Sequence, residues 1–161
     1  MLTLTKKIQI GQKGPPFSLY DSAKKKVNSD DLKEKTVVLL FFPLAFTSVC
    51  TKEMCSVRDK ISLYNKINAE VFGISVDSLY TLAKFKEAEG LNFTLLSDFN
   101  KEVSSDYGVL YETFGYDMKG VAKRASFIID KEWKIAFAEV LENASDLPDF
   151  NEIERTLSMI V

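Results

Sequence analysis

Two cysteines, Cys50 and Cys55, are the only thiols in the chain, and both lie in PLAFTSVCTKEMC at residues 43 to 55. Five positions apart, they are too far for a C-x-x-C redox pair, and two thiols are too few for a closed metal site. The chain has no histidine. Ser-His-Asp and Cys-His mechanisms are therefore out, and a zinc site would have to be completed by carboxylates, an unusual set. Thiol chemistry here needs a thiolate that is stabilised without a neighbouring base. Thr47, three residues before Cys50, offers a hydroxyl. Arginine is the residue suited to holding an anion in fixed geometry, and only Arg58, Arg124 and Arg155 are present.

The surrounding elements decide whether these groups can meet. TVVLLFF (36 to 42) is apolar on both faces and reads as a central strand of a buried sheet, stopped by Pro43. A long helix is expected from Thr47 or Ser48 to Ile67, because Met54, Val57, Ile61 and Tyr64 step by three and four. Cys50 then falls in its first turn. Unpaired N–H groups and the helix dipole favour an anion there, and helix N-termini lower cysteine pKa. In open α/β sheets, ligands bind beyond the carboxyl ends of the strands, which is where residues 43 to 50 lie.

Elsewhere FSLY forms a short strand with a hairpin partner near Val27, and Ser29 or Asp30 caps a helical turn through Lys35. EVFGISVD (70 to 77) is a strand. Ser78 caps a helix ending at Gly90. NFTLLSD is a strand, and NKEVSSDYG a short helix closed by Gly108. RASFIID (124 to 130) and WKIAFAEV (133 to 140) pair through a tight turn, and a helix runs from Leu147 or Pro148 to Ile160. A βαβ half followed by a ββα half predicts an α/β, thioredoxin-like fold. It has a central mixed β-sheet flanked by helices, with an N-terminal β-hairpin extension. The hairpin after Arg124 argues against a flavodoxin-like, all-parallel sheet. At 161 residues, the whole chain, 1 to 161, reads as one domain.

Pro43-Leu-Ala-Phe-Thr47-Ser-Val-Cys50 matches P-x-x-x-[TS]-x-x-C and resembles the signature of the peroxiredoxins. GPPFSLYD, TVVLLFFP, CTKE, VFGISVDS, LLSD and RASFIID resemble that family along almost the whole chain. The resemblance implies a thiol-dependent peroxidase that needs no cofactor and acts on hydrogen peroxide, organic hydroperoxides or peroxynitrite. By the same resemblance, Cys50 is the peroxidatic cysteine, oxidised to a sulfenic acid, and the Thr47 hydroxyl bonds the peroxide. Pro43 shields the site from water, and Arg124 binds thiolate and substrate oxygens. Glu53 matches a common acidic residue of the family, and from the residues alone it is equally a first-turn capping carboxylate. Without the resemblance Arg124 reads as a surface strand-end residue, and Thr47 as an N-cap.

The five-residue spacing is similar to that of the Q-type subgroup (bacterioferritin comigratory proteins), in which the second cysteine resolves the sulfenic acid as an intramolecular disulfide. PLAFT is closer to the AhpE-like subgroup, often one-cysteine enzymes resolved by an outside thiol. On an intact helix the two Cα atoms stand roughly 8.6 Å apart and the side chains point about 140° away from one another. A disulfide needs Cα atoms within about 7 Å. The resolving role for Cys55 therefore requires residues 48 to 56 to unwind; otherwise Cys55 is a packing cysteine.

Net charge is −2, from 21 basic and 23 acidic residues, which gives no electrostatic reason to expect nucleic acid or an anionic membrane. No apolar run approaches the roughly 20 residues of a membrane span, and MLTLTKKIQIGQ shows no export signal. The expectation is a cytoplasmic protein with reduced thiols, recycled by a thioredoxin- or glutaredoxin-type reductant and present as monomer or homodimer. A thioredoxin-like disulfide oxidoreductase is disfavoured, since Thr-Lys-Glu-Met follows Cys50 where C-x-x-C would need its second cysteine. A non-catalytic module would leave Thr47, Cys50 and Arg124 unused together. Phe46, Tyr107, Tyr111, Phe114, Tyr116 and Trp133 read mostly as packing, and the 111 to 123 loop is expected near Arg124, beside the active site or at a subunit contact.

Overall fold

The computed structural model describes residues 7 to 160. Met1 to Lys6, where the segment read for an export signal begins, and Val161 lie outside the described residues. Among these residues, seven strands form one sheet: β1 (Ser18–Asp21), β2 (Lys26–Asn28), β3 (Thr36–Phe41), β4 (Ala69–Ser75), β5 (Thr94–Ser97), β6 (Arg124–Ile129) and β7 (Ile135–Leu141). Their order is β2-β1-β5-β4-β3-β6-β7. β3, β4 and β5 run parallel, whereas β6 is antiparallel to β3 and to β7. The β1–β2 hairpin adds to the β5 edge. This is the mixed, thioredoxin-like arrangement with a hairpin extension that the element order predicts.

The central run is apolar at every position because both faces of β3 are covered. Val38, Leu40 and Phe42 face one core with Met54, Leu82, Phe85 and Ile153. Val37, Leu39 and Phe41 face the other with Phe72, Tyr107, Phe127 and Trp133. That alternation is the period of a strand, read on two buried sides. Tyr107 and Trp133 are thus core residues, and each polar tip finds a backbone acceptor, Pro15 O and Gly14 O.

Among the described residues, five α-helices complete the fold: α1 (Ser48–Asp59), α2 (Ile61–Lys66), α3 (Leu79–Glu89), α4 (Glu102–Asp106) and α5 (Phe150–Ile160). The expected helix to Ile67 is two helices, interrupted at Lys60, whose ψ is 10° and whose N–H donates to Val57 O at 3.0 Å. Periodicity could not reveal the break, because Val57 and Tyr64 stay buried on one side across it. The expected turn through Lys35 is a short 3-10 segment ending at Leu32, and Ser29 does not cap it: the Ser29 hydroxyl accepts from Phe17 N instead. The last helix begins at Phe150, after Pro148. Ser78 does cap α3, accepting from Thr81 N, and Gly90 ends it in the left-handed conformation.

Gly73 on β4 leaves room for two core side chains, one from β5 and one from α1. A Cβ there would stand 2.7 Å from Leu95 Cδ2 and 3.3 Å from Met54 Sδ, the α1 residue above it. Both neighbours are fully buried. Gly73→Ala is expected to destabilise the fold by about 1–3 kcal/mol through overpacking. Denaturant titration checks this, and an unchanged midpoint would mean that Leu95 and Met54 give way without cost.

Candidate active site

Pro43 to Thr47 turn the chain from the end of β3 into α1. Two features fix that turn. Asp77 Oδ2, just beyond β4, accepts from Ala45 N at 2.8 Å and from the Ser75 hydroxyl at 2.7 Å. Phe46 adopts φ 68°, a left-handed conformation costly for an aromatic residue, and its ring meets Phe85 at 5.2 Å. Thr47 is then the N-cap by backbone, but its hydroxyl bonds no helix N–H. It donates to Leu44 O at 2.7 Å instead.

Cys50 follows in the first turn of α1, 1% exposed. Arg124, the first residue of β6, reaches it across the β3–β6 pair: Nη2 donates to Cys50 Sγ at 3.3 Å and to Ala144 O at 3.0 Å. Nη1 donates to Glu53 Oε1 at 2.6 Å. Both ends of this ion pair are buried, at 1% and 0% side-chain exposure. Burial works against the Arg124 charge, but Glu53 and Cys50 outweigh it and hold the guanidinium protonated. Among the described residues, Glu53 Oε2 and Arg124 Nε have no hydrogen-bond partner. Burial pushes the Glu53 carboxyl up to about 7, against the pull of Arg124.

The sulfur lies at the floor of a hollow of about 180 Å³ lined by Pro43, Thr47, Val49, Cys50, Phe114 and Arg124. A water molecule occupies roughly 30 Å³ in the liquid, so there is room for a small molecule beside the thiol. A larger hollow of about 410 Å³, lined by Lys35, Asn65 and Asn92 among others, includes neither cysteine.

The AhpC/TSA family model matches residues 10–138. A Coxiella burnetii protein bearing the peroxiredoxin name bcp is 42% identical over 131 residues, 80% of this chain and 86% of its own length. The chain belongs to the AhpC/TSA family of peroxiredoxins. Such proteins are thiol-dependent peroxidases. The mouse mitochondrial thioredoxin-dependent peroxide reductase is 38% identical over 143 residues, 84% of this chain and 52% of its own. The crystal structure of peroxidoxin BcpB from Mycobacterium tuberculosis superposes with a TM-score of 0.84 at 30% identity, covering 96% of this chain and 99% of its own. The bcp names fall on the Q-type side of the two subgroups that the sequence resembles.

Within this peroxiredoxin, Pro43, Thr47, Cys50, Glu53 and Arg124 come together. Cys55 does not. Its sulfur is partly buried on another side of α1 and donates to Glu89 Oε2 at 3.6 Å. Glu53 is not an exposed capping carboxylate but the buried partner of Arg124, and Arg124 is not a surface residue. Phe114 reaches the hollow and stacks at 5.3 Å on Tyr111, whereas Tyr116 is wholly exposed. Two contributors escaped the sequence: the Ala144 carbonyl, a backbone atom with no signature, and Asp77. The only hint of Asp77 was an acid directly after the apolar end of a strand.

Glu53 has a testable pH signature. Below about 4.5 its carboxyl is protonated both folded and unfolded, and above about 7 it is ionised in both. Between these limits the unfolded chain has released the proton and the folded chain retains it, so stability falls as pH rises. Glu53→Gln should remove this part of the fall, measured by denaturant unfolding across the window. An identical fall in both proteins would give Glu53 an ordinary carboxyl.

Proposed function

We propose that Cys50 is the peroxidatic cysteine and Cys55 the resolving one. The observation that carries the first assignment is the Arg124 N–H donated to Cys50 Sγ at 3.3 Å, in the first turn of a helix and beside a small hollow. The first-turn N–H groups and the guanidinium favour sulfur as an anion, the nucleophilic form.

The Thr47 hydrogen is committed to Leu44 O, so its oxygen is left to accept from the O–H of a hydroperoxide. Pro43, buried, closes one wall against water. Sulfur attacks the distal peroxide oxygen and the O–O bond breaks. The electron pair leaves on the proximal oxygen, which takes a proton and departs as water or alcohol. Sulfur keeps the transferred oxygen as a sulfenic acid. Charge develops on both oxygens, and Arg124, already in place, meets it without reorganisation. Glu53 holds the guanidinium in position.

The Cys55 thiol then displaces the sulfenic hydroxyl, and a thioredoxin-type dithiol reduces the disulfide. The five-residue spacing of Cys50 and Cys55, similar to that of the Q-type subgroup, supports the two-cysteine route, and the name of the mouse relative supports the reductant. On an intact α1 the thiols cannot bond, so residues 48 to 56 must unwind after oxidation.

Stopped-flow mixing with hydrogen peroxide tests the first step. Cys50→Ser should abolish the fast reaction, and Thr47→Val should slow it about tenfold or more. A wild-type thiol reacting only as fast as free cysteine would sink the assignment. Thiol counting and intact mass test the second: one equivalent of peroxide should leave wild type with an internal disulfide and Cys55→Ser with a free sulfenic acid. Equal thiol loss in the two, with no internal disulfide in wild type, would leave resolution to an outside thiol.

A further inference from the structure

The two thiols on α1 have opposite electrostatic partners. Cys50 Sγ receives a hydrogen bond from a guanidinium, and Cys55 Sγ donates one to the Glu89 carboxylate. Glu89 is the last residue of α3. Two further bonds reinforce the same junction: Arg58 Nη1 donates to the Glu89 carbonyl at 2.6 Å, and Asn92 Nδ2 donates to the Arg58 carbonyl at 3.2 Å. All three tie the second half of α1 to the end of α3. The charged groups facing the Cys55 thiol are Glu89 from α3, and Arg58 and Asp59 from its own helix. None of these groups takes part in the peroxide step.

We propose that Glu89 is a positioning residue for the resolving step: it docks Cys55 as a neutral thiol against α3, and the disulfide forms only after that dock opens. This rests on Cys55 being the resolving cysteine. An ionised carboxylate only accepts hydrogen bonds, so the contact requires the proton to be on sulfur. A thiolate there would be repelled. Burial pushes the Cys55 thiol up, Arg58 opposes, and Glu89 and Asp59 add to the rise.

The chemistry balances within the chain. The S–S bond forms as the sulfenic S–O bond breaks, and the Cys55 proton leaves with the departing hydroxyl as water. No outside oxidant is consumed. The docked thiol points away from Cys50 and cannot make this bond, so the Glu89 contact delays resolution and lengthens the life of the sulfenic acid.

The experiment uses the full chain with Glu89→Ala and Glu89→Gln. After one equivalent of hydrogen peroxide, disulfide appearance is followed by acid quench and intact mass. Glu89→Ala should form the disulfide about threefold faster, the factor expected from one weak hydrogen bond. In a Cys50→Ser background, alkylation of Cys55 by iodoacetamide should move to lower pH in Glu89→Gln. That amide fills the same space, so loosened packing alone would not shift the profile. An equal or slower disulfide rate, as expected of a base, or an unmoved alkylation profile, overturns the dock. Absence of any Cys50–Cys55 disulfide in wild type is a different result: it removes the resolving role itself, and the dock with it.

Discussion

The buried guanidinium of Arg124 is the constraint on which the site depends. It lies at the start of β6, out of water, and must be neutralised there. Glu53 on α1 accepts from Nη1 and, when ionised, supplies the countercharge, while Cys50 Sγ and the Ala144 carbonyl accept from Nη2. Removing one partner of such a pair commonly costs about 3–5 kcal/mol. The same bonds that hold the arginine therefore pin the first turn of α1 to the sheet. Stability of the helix start and the electrostatics of the thiol come from one set of contacts, which lets a chain without histidine hold a sulfur beside a buried cation.

The demands on α1 pull in two directions. On the proposed two-cysteine route, its N-terminus must be wound for Cys50 to receive donors, and must come apart for Cys55 to approach. The fold holds features of both kinds. Gly73 lets Met54 sit tightly on β4, and Arg124 grips Glu53 and Cys50. Against them stands Phe46, held in a left-handed conformation that costs an ordinary residue about 1–3 kcal/mol. The strain lies one residue before the helix cap, where unwinding would relieve it.

The sheet was legible because its signals are local: a doubly buried strand, capped helices, a hairpin with its turn. The placement of Cys50 followed from a strand, a proline and a helix start read in order. Arg124 was different. Charge and composition placed it on the surface, and only the motif resemblance moved it inward, because its burial depends on partners 71 and 74 residues distant in sequence. Asp77 and the Ala144 carbonyl act through backbone geometry that sequence does not spell out. The Lys60 interruption was hidden because the apolar stripe runs through it unbroken.

That interruption gives the fold a boundary. A helix of twelve residues has little stability of its own and is held by what it packs on. Fraying that starts at Ser48 travels along the ladder of backbone bonds, and at Lys60 the ladder stops. Beyond it Tyr64 anchors α2 in the core. Local opening can thus run its course in one short cooperative unit while the rest of the domain stays folded. Amide exchange would register this as two adjacent helices, sharing one apolar stripe, that lose protection at different free energies.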